Sequence, residues 1–288
     1  MAVIRTAIPS KGPLADDAAE LLRRIGLRVP RTDDRKLLVD SGKGRYQVLF
    51  ASPWDIPWYV ETGAADVGIT GLDILEETGD GVKRLLPLNF GFCRLTLAAP
   101  ESSAVRTADD VPEGSTVATS YPNLVRAYFR RRKKDVQIVE VHGATEVTPS
   151  IGAANLIADL VETGSTLRMN HLRVVDVILE SRAVLVAGGK GLEDKPAEIR
   201  ELLGAIESVS EAETRRYLMA NVPADKLAEI CSFLPGISGP TIMNLMGRED
   251  LVAMHVVVKD DEVNGVIALL KEAGATGILV VPIERMVV

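Results

Sequence analysis

Short apolar runs alternate with helical patterns along the first two thirds of the chain, and this alternation restricts its fold more than any other feature. AVIRTAIP is followed by SKGPLADDAAELLRRIG, which has Pro13 near a helix start and Gly26 at its end. YQVLFA, ADVGIT and CRLTLAA read as further buried strands, separated by the helical patterns DIPWYVET and LDILEET. STVATS, YPNLVRAYFRRRK, VQIVEV, NLIADLVE and LRVVDVILE repeat the alternation, and RAVLVAG adds one more strand. Such a chain is α/β and divides into two lobes. The expected lobes are 1–98 with 180–207, and 99–179, with crossings at CRLTLAAP and near SRAVLVAGG, as in hinged, periplasmic-binding-protein-like folds.

The pattern changes after the helix EDKPAEIRELLGAIESVSEAETRR. YLMANVP, ADKLAEICSFL, GPTIMNLM, LVAMHVVVK, DEVNGVIALLKEAG and ILVVPIERM follow in the order β-α-β-β-α-β. This is the ferredoxin-like (ACT/PII-like) α+β arrangement, which closes a small sheet under two helices, so 208–288 is expected to form a separate domain.

Composition narrows the function classes. A formal charge of -7 and 4% aromatic residues argue against a nucleic-acid partner, and the run Arg130-Arg131-Arg132-Lys133-Lys134 reads as a solvated helix end. No apolar run is long enough to span a membrane, and the start MAVIRTAIPSKG has no signal-peptide core, so a cytoplasmic location is expected. Cys93 and Cys231 are far apart, and His142, His171 and His255 are scattered, so neither disulfides nor a protein-built metal cluster is expected.

The richest segment is 155–167, NLIADLVETGSTL, in which a strand runs into acidic residues, then a glycine turn rich in hydroxyls, then a helical pattern. Its parts suit a phosphate monoester. Gly164 permits close backbone approach, the amides from Thr163 to Thr166 face outward at a helix start, and Ser165 adds a hydroxyl. Asp159 and Glu162 arrive at the sheet end, where a carboxylate accepts hydrogen bonds from ribose hydroxyls. A capped helix after a buried strand is the plainer reading. Lys11, between Ser10 and Gly12, reads either as an anion contact at a helix start or as an exposed lysine.

The spacing of Glu146, Gly152, Ala154, Ile157, Asp159, Leu160, Val161, Thr163, Gly164, Thr166 and Leu167 resembles the signature of the ATP phosphoribosyltransferases. IPSKG, DIPWYVETGAADVGITGLD, FGFCRLTLAAP, TSYPNLVRAYF, GPTIMNL and GATGILVVPIERM extend the resemblance, which is to the long form of that family. It implies two catalytic lobes, a histidine-binding regulatory domain, and dimers that assemble into hexamers. The implied reaction joins ATP to phosphoribosyl pyrophosphate and begins histidine biosynthesis. Magnesium held mainly by substrate oxygens is expected to assist the leaving group. Lys11 and Arg35 are the expected cationic contacts, Arg35 on the resemblance alone, while Gly71 and Asp73 in GITGLD fall in a loop similar to the family's nucleotide side. Tyr121 opens a helix where its ring packs on adenine or its turn meets phosphate. Thr241, Gly274 and Ala275 are the expected histidine contacts. One position departs from the pattern: Ser52 stands where relatives commonly have Arg. Two other readings fit the lobes, a solute-binding protein and a non-catalytic amino-acid-sensing subunit.

Overall fold

The computed structural model describes residues 3–29, 37–79, 81–234 and 239–287. The chain divides into two compact units, 1–201 and 202–288. Arg35 lies outside the described residues.

The first unit holds two sheets. The chain begins with β1 (Ile4–Pro9), α1 (Pro13–Arg24), β2 (Leu38–Ser41), β3 (Tyr46–Ala51), α2 (Ile56–Glu61), β4 (Val67–Gly71), α3 (Leu72–Thr78) and β5 (Lys83–Pro87). It crosses to the second sheet with β6 (Cys93–Pro100), β7 (Ser115–Thr119), α4 (Pro122–Arg131), β8 (Val136–Glu140), β9 (Leu156–Val161), α5 (Ser165–Met169) and β10 (Leu172–Ser181). It then returns to the first sheet with β11 (Ala183–Ala187), followed by α6 (Gly189–Asp194) and by α7 (Pro196–Glu213), which begins in the first unit and continues into the second. The sheet orders are β2-β3-β1-β4-β11-β5 and β10-β6-β9-β7-β8. β1 pairs in parallel with β3 and β4, and β7 with β8 and β9, while β11 and β6 run antiparallel inside their sheets. This is the two-lobed, periplasmic-binding-protein-like arrangement.

The strands follow from their composition. AVLVA of β11 is apolar throughout and is buried at every position between β4 and β5. In the second lobe, Leu97, Val117 and Leu156 from the sheet meet Val125 and Phe129 from α4 in one core cluster. Truncating a buried phenylalanine such as Phe129 to Ala costs about 3–5 kcal/mol.

Three local expectations change. CRLTLAA is β6 of the second sheet, and β10 runs to Ser181, so the breaks expected after 98 and 179 fall within single strands. The crossings are short, at 88–92 and at Arg182, and they are tied to each other: Leu88 N–H donates to the Ala183 carbonyl at 2.9 Å and Ala183 N–H to the Phe90 carbonyl at 3.0 Å. The helix expected across EDKPAEIRELL is interrupted at Lys195, which has φ -137° and ψ 46°, because the residue before a proline avoids the helical region. The break lets Lys195 Nζ reach Asp66 Oδ1 and Oδ2, both at 2.8 Å. β2 and β5, short and half exposed, carried too little apolar pattern to be read from sequence.

The second unit contains β12 (Arg215–Pro223), α8 (Leu227–Phe233), β13 (Thr241–Leu245), β14 (Arg248–Lys259), α9 (Val263–Glu272) and β15 (Thr276–Pro282). Its antiparallel sheet has the order β13-β14-β12-β15. Alternate residues of β12 and β14, among them Leu218, Val222, Met254 and Val256, are buried with Ile230, Val266 and Leu270. The fold is the ferredoxin-like one expected. Among the described residues no helix is long and apolar enough to cross a membrane.

Candidate active site

In an open α/β sheet, ligands bind beyond the carboxyl ends of the parallel strands. Here those ends, from both sheets, surround one cavity of about 580 Å³. β1 is followed by Lys11, β3 by Trp54, β7 by Tyr121 and β9 by the turn from Glu162 to Thr166, while β4 ends at Gly71; all of these line the cavity. Asp73, Glu146 and Asp159 also line it. The structure therefore brings together every expected substrate contact that lies among the described residues.

Gly164 adopts φ +74° at the start of α5, a left-handed conformation that an L side chain reaches only at a cost. It turns the chain so that the first-turn amides, which have no partner inside a helix, lead the segment. Thr163 Oγ1 and Ser165 Oγ lie 3.1 Å apart above them. Arg168 Nη1 reaches the Thr163 carbonyl at 3.4 Å, so a guanidinium borders the turn. Arg168 is not among the contacts expected from the sequence, although its helical spacing of four from Gly164 marks it.

Asp159 is half-buried on β9, and its Oδ1 accepts the Leu160 N–H at 2.8 Å. Burial raises its pKa, and the charge of Glu146 raises it further, against the opposing effects of the Leu160 amide and the Thr145 hydroxyl. Two carboxyl groups facing one cavity disfavour each other's ionised forms.

The part of the lining formed by Tyr121 and Asp73 differs from expectation. Tyr121 is only 4% exposed, and its hydroxyl donates to Asp73 Oδ2 at 2.7 Å. Ser181 Oγ donates to Asp73 Oδ1 at 2.6 Å and accepts the Asp73 N–H at 3.0 Å. Tyr121 and Asp73 therefore satisfy each other, and Trp54 covers the tyrosine with ring centroids 5.1 Å apart. The expected packing of the Tyr121 ring on adenine is not available in this arrangement, because the ring is already covered. Gly71 is required by close approach: a Cβ there would lie 2.2 Å from Asp73 Oδ1. Nearby, burial pushes the Cys93 thiol up to about 11, which leaves it protonated at neutral pH.

A second interlobe contact had no signal in the sequence. Glu77 on α3 is buried, and its carboxylate accepts the N–H groups of Asn123 at 2.8 Å and Leu124 at 2.9 Å. It caps α4 of the other lobe. Ser52 accepts the Asp55 N–H on its carbonyl at 2.9 Å and the Trp54 N–H on its hydroxyl at 3.3 Å, so it shapes the turn that carries Trp54.

In the second unit the expected histidine contacts are not adjacent. Thr241 lies on β13, paired with His255, whereas Gly274 and Ala275 precede β15 at the opposite edge of the sheet. Three strand spacings, about 14 Å, separate the two edges.

The profile of a family described as HisG, ATP phosphoribosyltransferase, matches residues 52–208, and that of the HisG C-terminal domain matches residues 212–285. The ATP phosphoribosyltransferase of Methanocaldococcus jannaschii is 43% identical over 288 residues, covering 99% of this chain and 100% of the relative. The chain belongs to the ATP phosphoribosyltransferase family. The ATP phosphoribosyltransferase of Natronomonas pharaonis is 47% identical over 284 residues, again covering 99% of this chain and 100% of the relative. The solved ATP phosphoribosyl transferase (HisG:HisZ) complex from Thermotoga maritima superposes with a TM-score of 0.62 at 27% identity, covering 71% of this chain and 97% of that one. As an ATP phosphoribosyltransferase family member the chain is a pentosyltransferase, which replaces the solute-binding alternative.

Proposed function

We propose that the chain joins ATP to phosphoribosyl pyrophosphate, giving phosphoribosyl-ATP and pyrophosphate at the start of histidine biosynthesis. The observation that carries this reading is the cavity itself. It gathers a glycine turn of helix-start amides, a half-buried acid, a lysine and two aromatic rings around one space, in a chain of this family.

In this reading the amides from Thr163 to Thr166 hold the 5-phosphate, and Asp159 accepts the ribose hydroxyls with Glu162 beside it. Lys11 and Arg35 meet the pyrophosphate or the ATP phosphates. N1 of adenine attacks the anomeric carbon as its bond to pyrophosphate breaks; the leaving group departs with the bonding electrons and the centre inverts. No covalent nucleophile is required, and the protein contributes orientation and a low-dielectric setting for the developing charge. Asp73 and Gly71 act at one remove, by fixing Tyr121 and the wall it supports.

Asp159 and Glu146 suit one magnesium ion carried in on substrate oxygens, since one or two carboxylates with phosphate and water are the usual magnesium environment and a cation relieves the repulsion between the two acids. When bound, magnesium neutralises charge on the departing pyrophosphate. In this reading the enzyme works in the cytoplasm. Histidine is assigned to the second unit as a feedback inhibitor. Because Thr241 and the Gly274–Ala275 turn occupy opposite sheet edges, a site using both takes them from different copies, in keeping with a homo-oligomer of dimers and hexamers.

The test is purified chain with ATP, phosphoribosyl pyrophosphate, magnesium and pyrophosphatase. Phosphoribosyl-ATP is the expected product, and its absence would reject the reading. Histidine is expected to bind and inhibit the intact oligomer; failure of both would remove the regulatory assignment alone.

A further inference from the structure

We propose that Trp54 is the stacking platform for the purine ring of the acceptor, an inference that rests on ATP being the acceptor. Trp54 follows the carboxyl end of β3 and lines two cavities, the one described above and a second of about 850 Å³ on the side of Asn123, Arg126 and His142. Trp54 and Tyr121 carry the benzenoid rings among the residues lining the two cavities, and the other aromatic ring there, the His142 imidazole, lines the second cavity alone. Tyr121 is buried with its hydroxyl committed to Asp73, whereas Trp54 keeps 38% of its surface exposed.

The Trp54 turn is fixed from below. Thr70 Oγ1, fully buried, donates to the Pro53 carbonyl at 2.8 Å, and the Trp54 N–H donates to Ser52 Oγ at 3.3 Å. The ring leans on Tyr121 with an interplanar angle of 41°. Through Tyr121 it rests on the Asp73–Ser181 hydrogen bonds, so both lobes hold it. A flat, polarisable base gains most from an indole face that is already immobilised, because little side-chain entropy remains to be lost on binding. The wall formed by Thr163 to Thr166 offers hydroxyls and amides suited to the sugar phosphate. Trp54 offers the complementary surface, suited to a base and indifferent to phosphate.

The chain contains two tryptophans, Trp54 and Trp58, and Trp58 is exposed on α2 and lines neither cavity. Trp58→Phe therefore leaves Trp54 as the sole indole reporter in the full-length chain. ATP is expected to quench its emission, while inorganic tripolyphosphate, which has no base, is expected not to. Calorimetry on Trp54→Leu should show ATP binding weakened by about fivefold to a hundredfold, with phosphoribosyl pyrophosphate binding held within about twofold and most ATP affinity retained in Trp54→Phe. Unchanged ATP affinity in Trp54→Leu, or an equal loss for both substrates, overturns the platform. If Trp54→Leu fails to fold, the fluorescence titration decides, since equal responses to ATP and tripolyphosphate also overturn it. A wild-type chain that forms phosphoribosyl-ATP while both readouts stay silent removes only the platform; one that neither binds nor converts ATP removes the acceptor reading as well.

Discussion

The hydroxyl of Tyr121, at the head of α4 in the second lobe, donates to the carboxylate of Asp73, on α3 of the first, across 2.7 Å in a setting almost closed to solvent. Burial first, and then the Asp73 carboxylate, push the tyrosine pKa well above its ordinary value, so it stays a donor at every working pH. Tyr121→Phe keeps the ring against Trp54 but leaves a buried acceptor without one of its donors. We expect a loss of about 1–3 kcal/mol in urea unfolding with an unchanged m-value. Wild-type stability would show that water replaces the hydroxyl without cost.

Gly71→Ala addresses the same pair from the other side. Its Cβ would sit 2.2 Å from Asp73 Oδ1, closer than atoms allow, so the carboxylate must move away from Ser181 and Tyr121. The φ of Gly71 is -79°, which alanine adopts freely, so any loss reports displacement of the carboxylate and not backbone strain. The expected destabilisation is about 1–3 kcal/mol, and it should be far from additive with Tyr121→Phe in a double-mutant cycle. Additive losses would show that Asp73 keeps its place.

Gly164→Val tests the turn. A β-branched residue at φ +74° pays about 1–2 kcal/mol for the left-handed conformation, and the turn is expected to relax out of shape. Phosphoribosyl pyrophosphate binding should fall by about tenfold or more while far-ultraviolet circular dichroism stays unchanged. Thr166→Ala, which leaves the backbone free to hold its shape, should weaken binding by less. Full binding in both variants would detach the turn from the donor substrate.

Glu77 sets the sign of a pH effect. Burial raises its pKa, and the Leu124 and Asn123 amides oppose that rise without cancelling it. A carboxyl whose folded pKa exceeds its unfolded value contributes stability that is fully present below the unfolded value and is lost as pH rises through the folded one. Glu77→Gln abolishes that titration. The stability of wild type minus that of the variant should therefore decrease as pH rises from about 4, as measured by urea unfolding at several pH values. A difference that grows with pH would reverse the assignment.

The lining of the candidate site was legible in outline in the sequence because its parts are local. Lys11, Gly71, Tyr121 and the Thr163–Thr166 turn each stand at or just beyond the end of an apolar run, and in an open α/β sheet those ends share one face. The β-α-β-β-α-β order of the second unit was legible for the same reason, since alternation and helical periodicity are written within each segment. Trp54 was passed over because an aromatic in a Pro-containing turn carries no local mark of its use. Glu77 was passed over because its partners, Asn123 and Leu124, are 46 and 47 residues away.

Periodicity and turn chemistry by themselves determined most of the elements and the fold class, since both are properties of neighbouring residues, while the family resemblance was carried by the 146–167 signature together with motifs spread along the chain. Only the tertiary structure decided that β6 belongs to the second sheet, that Tyr121 is spent on Asp73, that Trp54 is left open, and that Thr241 and Gly274 lie at opposite sheet edges. The physical reason is that burial and hydrogen-bond partnership are set by segments meeting in space, so the same side chain is free or committed according to what the rest of the chain brings to it.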